Sequence, residues 1–137
     1  MGQVNLLAVL LGTAVFFVLG AVWYGPLFGT PWKDALGYDA KGERPGPRSR
    51  RPVWLTMVLA FLLELVVVFM LGHLIARTLP PPHVIMMMAT GFGFAIMAPA
   101  VGINYLFQER PWKLFWIEAG YYVVGMTLVG AVFCLLA

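Results

Sequence analysis

Two carboxylic acids, Glu64 and Glu118, lie inside long apolar stretches of this chain. An ionisable group in hydrocarbon costs several kcal/mol, so an acid at such a position is a functional hypothesis by default. Glu64 lies about 16 Å along its stretch at 1.5 Å per residue, which is near the middle of a bilayer if the stretch spans one. The carboxyl must then be protonated, paired or facing a cavity.

Two interpretations of Glu64 are open. In the first, the carboxyl accepts and releases a proton as part of a proton relay or a cation pathway, because removal from water favours the neutral acid. In the second, a neutral Glu64 forms a hydrogen bond across a helical bundle, worth roughly 1 kcal/mol.

Glu118 predicts a polar network at a different depth. It lies about 9 Å into the last apolar stretch, and Asn104 lies about one turn from the end of the preceding one. We expect these two side chains to form a hydrogen bond, with Lys113 or Arg110 close enough to compensate the charge. Tyr121 and Tyr122 follow Glu118 at helical spacings of three and four and can join this network.

A metal site is a weaker hypothesis. His73, His83, Met86 and Met87 offer imidazole and thioether ligands of the kind that copper accepts. Consecutive methionines more simply fill packing space, so we predict no metal site and no cofactor. Serine triads, phosphate-binding glycine loops and other catalytic motifs are also missing from the sequence, and we expect no enzyme.

Four apolar stretches must position these residues. Hydrophobic residues make up 61% of the 137 and charged residues 11%, whereas charged residues are about a quarter of a soluble domain. A bilayer core about 30 Å thick needs about 20 apolar residues per helix. The sequence therefore predicts an all-α fold, a single membrane domain (1–137) with two helical hairpins and four transmembrane helices at about 5–24, 53–76, 84–107 and 114–136.

The basic residues predict an orientation. Eight of the nine lie in two of the connections between apolar stretches, namely Lys33, Lys41, Arg44, Arg48, Arg50, Arg51, Arg110 and Lys113, and the remaining one is Arg77. Because basic residues near short loops stay on the cytoplasmic side, the loop 25–52 is expected inside and both termini outside. Arg48, Arg50 and Arg51 precede a spanning helix, which predicts contact with anionic lipids and not with nucleic acid.

Small and aromatic residues complete the predicted bundle. Small residues that let helix backbones approach closely are Ala8, Gly12, Gly91, Ala95, Ala98 and Gly102. Aromatic residues expected to anchor the bundle at the membrane interface are Trp23, Tyr24, Trp32, Trp54, Tyr105, Trp112 and Trp116. The similar strings at 27–33 and 106–113 also suggest that the two hairpins are copies related by an axis along the membrane normal.

Two strings carry a family resemblance. They are Trp23-Tyr24-Gly25-Pro26-Leu27-Phe28-Gly29 with Trp32, and Asn104-Tyr105-Leu106-Phe107 with Arg110-Pro111, Leu114-Phe115, Ile117 and Ala119-Gly120-Tyr121. The chain resembles the domain of unknown function 1761 family, small bacterial membrane proteins with four predicted spanning helices and no established activity. Members often have His where this chain has Tyr122, so a role for that imidazole is not carried over.

These features predict a multi-pass protein of the bacterial inner membrane. The leading hypothesis is a non-enzymatic helical-bundle subunit or scaffold that associates with itself, as a homo-oligomer, or with a larger membrane complex. Its surroundings are the lipid bilayer, and nucleic acid is not an expected partner. The alternative is a protein for proton or small-cation permeation that uses Glu64 near the midplane.

Overall fold

A computed structural model describes residues 2–46 and 51–136 of the chain. These residues are helical wherever they have regular structure, and they contain no β-strand. Four helices are long and apolar enough to cross a membrane, and we call them the first to fourth spans: Leu6–Leu27, Val53–Thr78, Pro82–Phe107 and Trp112–Leu135. Their bounds differ from the predicted ones by three residues or fewer, and the architecture is that of a multi-pass membrane protein.

Proline or a capping side chain sets the start of every span. Asn5 precedes the first span, and its side-chain oxygen accepts a hydrogen bond from the backbone N–H of Ala8. Pro52, Pro81 and Pro111 precede the other three in extended conformation. Proline suits these positions because its fixed φ and missing N–H are tolerated at a helix start and not within a helix.

Two spans depart from α-helical geometry. The first span is π-helical over Trp23–Leu27, which includes Pro26, and the third span is π-helical over Phe92–Met97. A π-helical turn holds an extra residue, so the side chains that follow it point in directions that α-helical spacing does not predict.

The loop predicted at 25–52 is partly helical. The first span continues to Leu27, and a short helix, Gly29–Leu36, follows at once. This short helix ends at Gly37, whose φ of 87° lies in the left-handed region that glycine adopts at low cost. It packs against the fourth span and therefore closes one end of the structure.

The first, second and fourth spans pack around one another, and the third span packs on the fourth. The first span packs on the second and the fourth, and the second barely touches the third. The second and fourth spans also meet through side chains, since a β-carbon on Gly72 would lie 3.2 Å from the ring of Phe133. The fourth span is consequently 44% buried along its apolar stretch, and the second only 17%. The contact between the first and fourth spans is much more extensive than the one between the third and second, so the spans lack the symmetry that two copied hairpins would give.

The core lies between the first, second and fourth spans. Phe16, Val68 and Val129 are fully buried there. A β-carbon on Gly12 would lie 3.3 Å from the side chains of both Val68 and Val129, so this glycine lets the three spans meet closely. The two ends of the chain also meet, because the side-chain N–H of Asn5 donates to the carbonyl of Leu136 over 3.1 Å.

Candidate functional site

Glu64 on the second span is held by the fourth span. Its Oε1 lies 2.7 Å from the hydroxyl oxygen of Tyr121, and the same hydroxyl lies 2.8 Å from the carbonyl oxygen of Phe16. The hydrogen bonds join three spans at the depth where the sequence places the membrane midplane. Tyr121 is 5% exposed, so water does not compete for its hydroxyl.

These distances restrict the position of the protons. A phenol carries one proton and donates one hydrogen bond, yet the hydroxyl of Tyr121 has two acceptors within reach. Both contacts become hydrogen bonds when Glu64 is protonated on Oε1, because the carboxyl then donates to Tyr121 and Tyr121 donates to Phe16. Oε2 of Glu64 is buried and has no hydrogen-bond partner among the described residues.

Glu118 holds the end of the first span and the short helix. Its Oε2 accepts a hydrogen bond from the hydroxyl of Tyr24, and its Oε1 accepts one of 3.1 Å from the indole N–H of Trp32. Tyr24 lies in the π-helical turn, and Trp32 lies in the short helix that follows it. Glu118 therefore connects three elements, which suits a structural lock.

The prediction that Asn104 and Glu118 form a hydrogen bond is wrong. Asn104 is exposed, and its side chain has no hydrogen-bond partner within residues 2–46 and 51–136. The π-helical turn earlier in the third span changes which face meets the fourth span, and the next residue, Tyr105, interacts with Glu118 instead. The expected compensation by Arg110 is also not seen, since its guanidinium donates to the side chain of Gln108.

Tyr121 and Tyr122 do not join Glu118 by hydrogen bonds. Tyr121 is bonded to Glu64, as described above. Tyr122 is half-buried, and its hydroxyl has no hydrogen-bond partner in the described part of the chain. Its ring packs on the rings of Phe16 and Tyr121 at centroid distances of 6.5 and 5.5 Å, so Tyr122 contributes packing.

A groove of about 480 Å³ lies beside Glu64. Its wall includes Glu64 and the rings of Phe17, Tyr24, Trp32 and Tyr121. The small residues Gly20, Ala21, Gly25 and Ala60 leave the space open. We call it the aromatic groove. A smaller cleft of about 230 Å³ lies on the other side of Glu64, between the second and third spans.

Three of the aromatic residues predicted as interfacial anchors have interior contacts instead. Tyr24 and Trp32 bind Glu118, and the indole N–H of Trp23 donates to the carbonyl of Ile117 over 3.0 Å. Trp54, Trp112 and Trp116 are 60% or more exposed, as anchors would be, and Tyr105 is half-buried. An indole or phenol in a sequence suits either role, because both have an apolar body and a polar tip.

Only some of the small residues predicted to pack between spans do so, and the differences lie in the third span. Ala8, Gly12 and Ala98 are buried, and Gly102 meets the ring of Phe115. Ala95 is exposed, and a β-carbon on Gly91 would have no neighbour within 4 Å. Gly93, which the sequence did not single out, makes the close approach: its β-carbon would lie 2.5 Å from the carbonyl oxygen of Tyr122. Gly93 follows the buried residues Ile85 and Ala89 at α-helical spacing, and the π-helical turn then brings Ala98, five residues later, to the same face.

The basic cluster is only partly described. Arg48 and Arg50 lie outside the described residues, and Arg51 is exposed and donates to the hydroxyl of Thr56. Among the described residues, no three His, Cys, Asp or Glu side chains come close enough to hold a metal ion.

One comparison with known proteins gives a match. The model of the family described as "Protein of unknown function (DUF1761)" matches residues 7–134. No curated protein and no solved structure matches the chain significantly. The match covers nearly the whole chain, including all residues of the two carboxyl networks.

Proposed function

The chain belongs to the DUF1761 family, whose function is unknown, and we propose that it acts as a non-enzymatic subunit or scaffold in the membrane. It associates laterally, with copies of itself or with a larger membrane complex. The polar networks of Glu64 and Glu118 then serve to fix the geometry of a small bundle whose outer spans are left for partners.

The exposed face of the second span carries this proposal. The second span packs mainly on the first, meets the fourth through a few side chains, and leaves Leu63 and Val66 70% and 65% exposed. A chain of four helices that closed into a bundle would cover part of this surface. Lipid can cover it too, but spans in membranes associate by close packing where a neighbour fits. We therefore assign the uncovered face of the second span to a protein partner.

The proposed setting is the bacterial inner membrane, with both termini on the outer side. The distribution of basic residues supports this orientation. Eight of the nine basic residues lie in the connections 28–52 and 108–111 or just after them. The same distribution assigns the Glu118 network to the cytoplasmic half of the bilayer and Glu64 to its middle.

Cysteine cross-linking in native membranes tests the lateral contact. In a Cys134→Ala background, single cysteines replace exposed residues on the second span, at Leu62, Leu63, Val66 and Phe69. We expect at least one of them to give a cross-linked dimer or an adduct with a second protein. The matched control is Ile103→Cys on the third span, which is 56% exposed and should stay uncross-linked. Equal cross-linking at Ile103, or none anywhere on the second span, would contradict the proposal.

Flux assays in liposomes separate this function from permeation. We expect purified protein to carry no proton or cation flux above that of empty liposomes. A flux that Glu64→Gln abolishes, in a variant that still folds and assembles, would replace the subunit proposal with the permeation alternative.

A further inference from the structure

We propose that the aromatic groove is a binding site for an amphiphilic organic cation. The groove lies between the first and second spans, beside the short helix, and it brings several aromatic rings and one carboxyl group to the same space. This site is independent of lateral association, because its walls come from a single copy of the chain.

The rings supply the first part of the recognition. Tyr24 and Trp32 lie 4.9 Å apart between ring centroids, and Tyr24 and Tyr121 lie 5.3 Å apart. A cation close to such faces is attracted by the ring quadrupole, and groups of aromatic rings are how proteins hold quaternary ammonium ligands. The hydrogen bonds from Tyr24 and Trp32 to Glu118 fix two of the rings and polarise them toward more negative faces.

Glu64 supplies the second part. Its carboxyl lies at the wall of the groove with one buried oxygen that has no partner among the described residues. The described residues that line the groove include no Lys, Arg or His, so the lining supplies no cation to compensate this acid. A positive charge in the groove would meet an opposite charge in a medium of low dielectric constant, where attraction is strong.

The chemistry of the wall also selects the kind of cation. Inorganic cations such as Ca²⁺ take six to eight oxygen ligands and Mg²⁺ demands octahedral coordination, whereas the side-chain oxygens here are those of Glu64, Tyr24 and Tyr121. The rest of the lining is apolar, and its volume falls in the usual range for a small-molecule site. An organic cation with apolar substituents meets all of these conditions.

Binding exchanges the cation for a proton. Without a ligand, a proton on Oε1 of Glu64 satisfies both contacts of Tyr121. When the cation binds, this proton leaves for water, Tyr121 donates to the carboxylate, and the net charge of the site is unchanged. The other ionisable groups near Glu64 are the hydroxyls of Tyr121 and Tyr122 from the fourth span and Tyr24 from the first. Because binding releases a proton from Glu64, affinity rises as pH rises.

Calorimetry with two ions of equal shape tests the proposal. The probe is tetraphenylphosphonium, and the control ion is tetraphenylborate, which has the same shape and the opposite charge. The protein is purified in a neutral detergent. We expect the phosphonium to bind saturably and to release about one proton per ion bound. The borate should not compete with it. Glu64→Gln should weaken binding roughly tenfold or more and abolish proton release, while Glu109→Gln, an exposed acid outside the groove, should change neither.

Three further variants, at two positions, keep the test decisive if Glu64→Gln does not fold. Ala21→Leu fills the groove and leaves every hydrogen bond of the two networks in place, so it should abolish binding. Trp32→Phe keeps a ring and should bind within about threefold of wild type, whereas Trp32→Ala should bind roughly fivefold more weakly. Absent phosphonium binding, equal binding of the borate, or unchanged binding in Glu64→Gln or Ala21→Leu would overturn the proposal and leave the groove as a slot for lipid.

Discussion

The hydroxyl oxygen of Tyr121 lies 2.7 Å from Oε1 of Glu64, although the two residues belong to different spans. The same hydroxyl reaches the carbonyl of Phe16 on a third span. One phenol therefore joins the three spans that form the core, at the depth where unpaired polar groups are most costly. Loss of this hydroxyl affects both partners at once.

Tyr121→Phe should destabilise the protein by about 1–3 kcal/mol, because it leaves an oxygen of Glu64 without its partner and removes a second hydrogen bond to the carbonyl of Phe16. The aromatic ring and its packing on Phe16 are retained, so the effect reports the hydroxyl alone. Reversible unfolding in mixed micelles, followed by circular dichroism, measures the change. The matched control is Tyr122→Phe, whose hydroxyl has no partner in the described structure and whose removal should cost less than about 0.5 kcal/mol. Equal effects of the two variants would contradict the assigned hydrogen bonds.

Gly93→Ala should destabilise the contact between the third and fourth spans by about 1–3 kcal/mol. Its β-carbon would lie 2.5 Å from the carbonyl oxygen of Tyr122 and 2.9 Å from the α-carbon of Val123, and backbone atoms cannot move aside cheaply. The same unfolding assay measures the loss.

Gly91→Ala is the control for that change. It is the same substitution two residues earlier, with no neighbour within 4 Å of the new β-carbon. Alanine has the higher helix propensity, so we expect a neutral or slightly stabilised protein. A larger loss at Gly91 than at Gly93 would show that the third span packs through the face that α-helical spacing predicted.

Glu118→Gln should weaken the attachment of the short helix, because hydrogen bonds to a charged acceptor are about twice as strong as neutral ones. The measurement uses a background in which the other tryptophans are replaced by Phe. As the indole of Trp32 leaves its partner, we expect its fluorescence to shift to the red and to be quenched faster by a water-soluble quencher. Asn104→Leu should leave both signals unchanged, because Asn104 is exposed and forms none of this network's hydrogen bonds. A response of equal size to Asn104→Leu would restore the predicted pairing of Asn104 with Glu118.

The sequence predicted the spans well because length and hydropathy decide them. It also indicated Glu64 and Glu118, since an acid within an apolar stretch needs a partner. The partners were harder to predict. Tyr24 and Trp32 have the composition of interfacial anchors, and only the π-helical turn with Pro26 and the short helix after it bring them to Glu118. In the third span, the packing face runs through Ile85, Ala89 and Gly93, and a pattern of small residues alone did not distinguish it from a face through Gly91 and Ala95.

The orientation of the chain is testable by labelling of single cysteines in intact cells. Glu43→Cys, in the loop between the first two spans, should react with a membrane-impermeant maleimide only after the cells are opened. Thr78→Cys, at the opposite end of the second span, should react in intact cells. The reverse pattern would invert the assigned topology and place the Glu118 network on the outer side.

Native mass spectrometry of protein ejected directly from membrane vesicles tests lateral association most directly, because it avoids detergent extraction. We expect masses that correspond to two or more copies of the 15.1 kDa chain, or to the chain bound to another membrane protein. A spectrum that contains single copies alone, at the protein density of the native membrane, would contradict the proposed function.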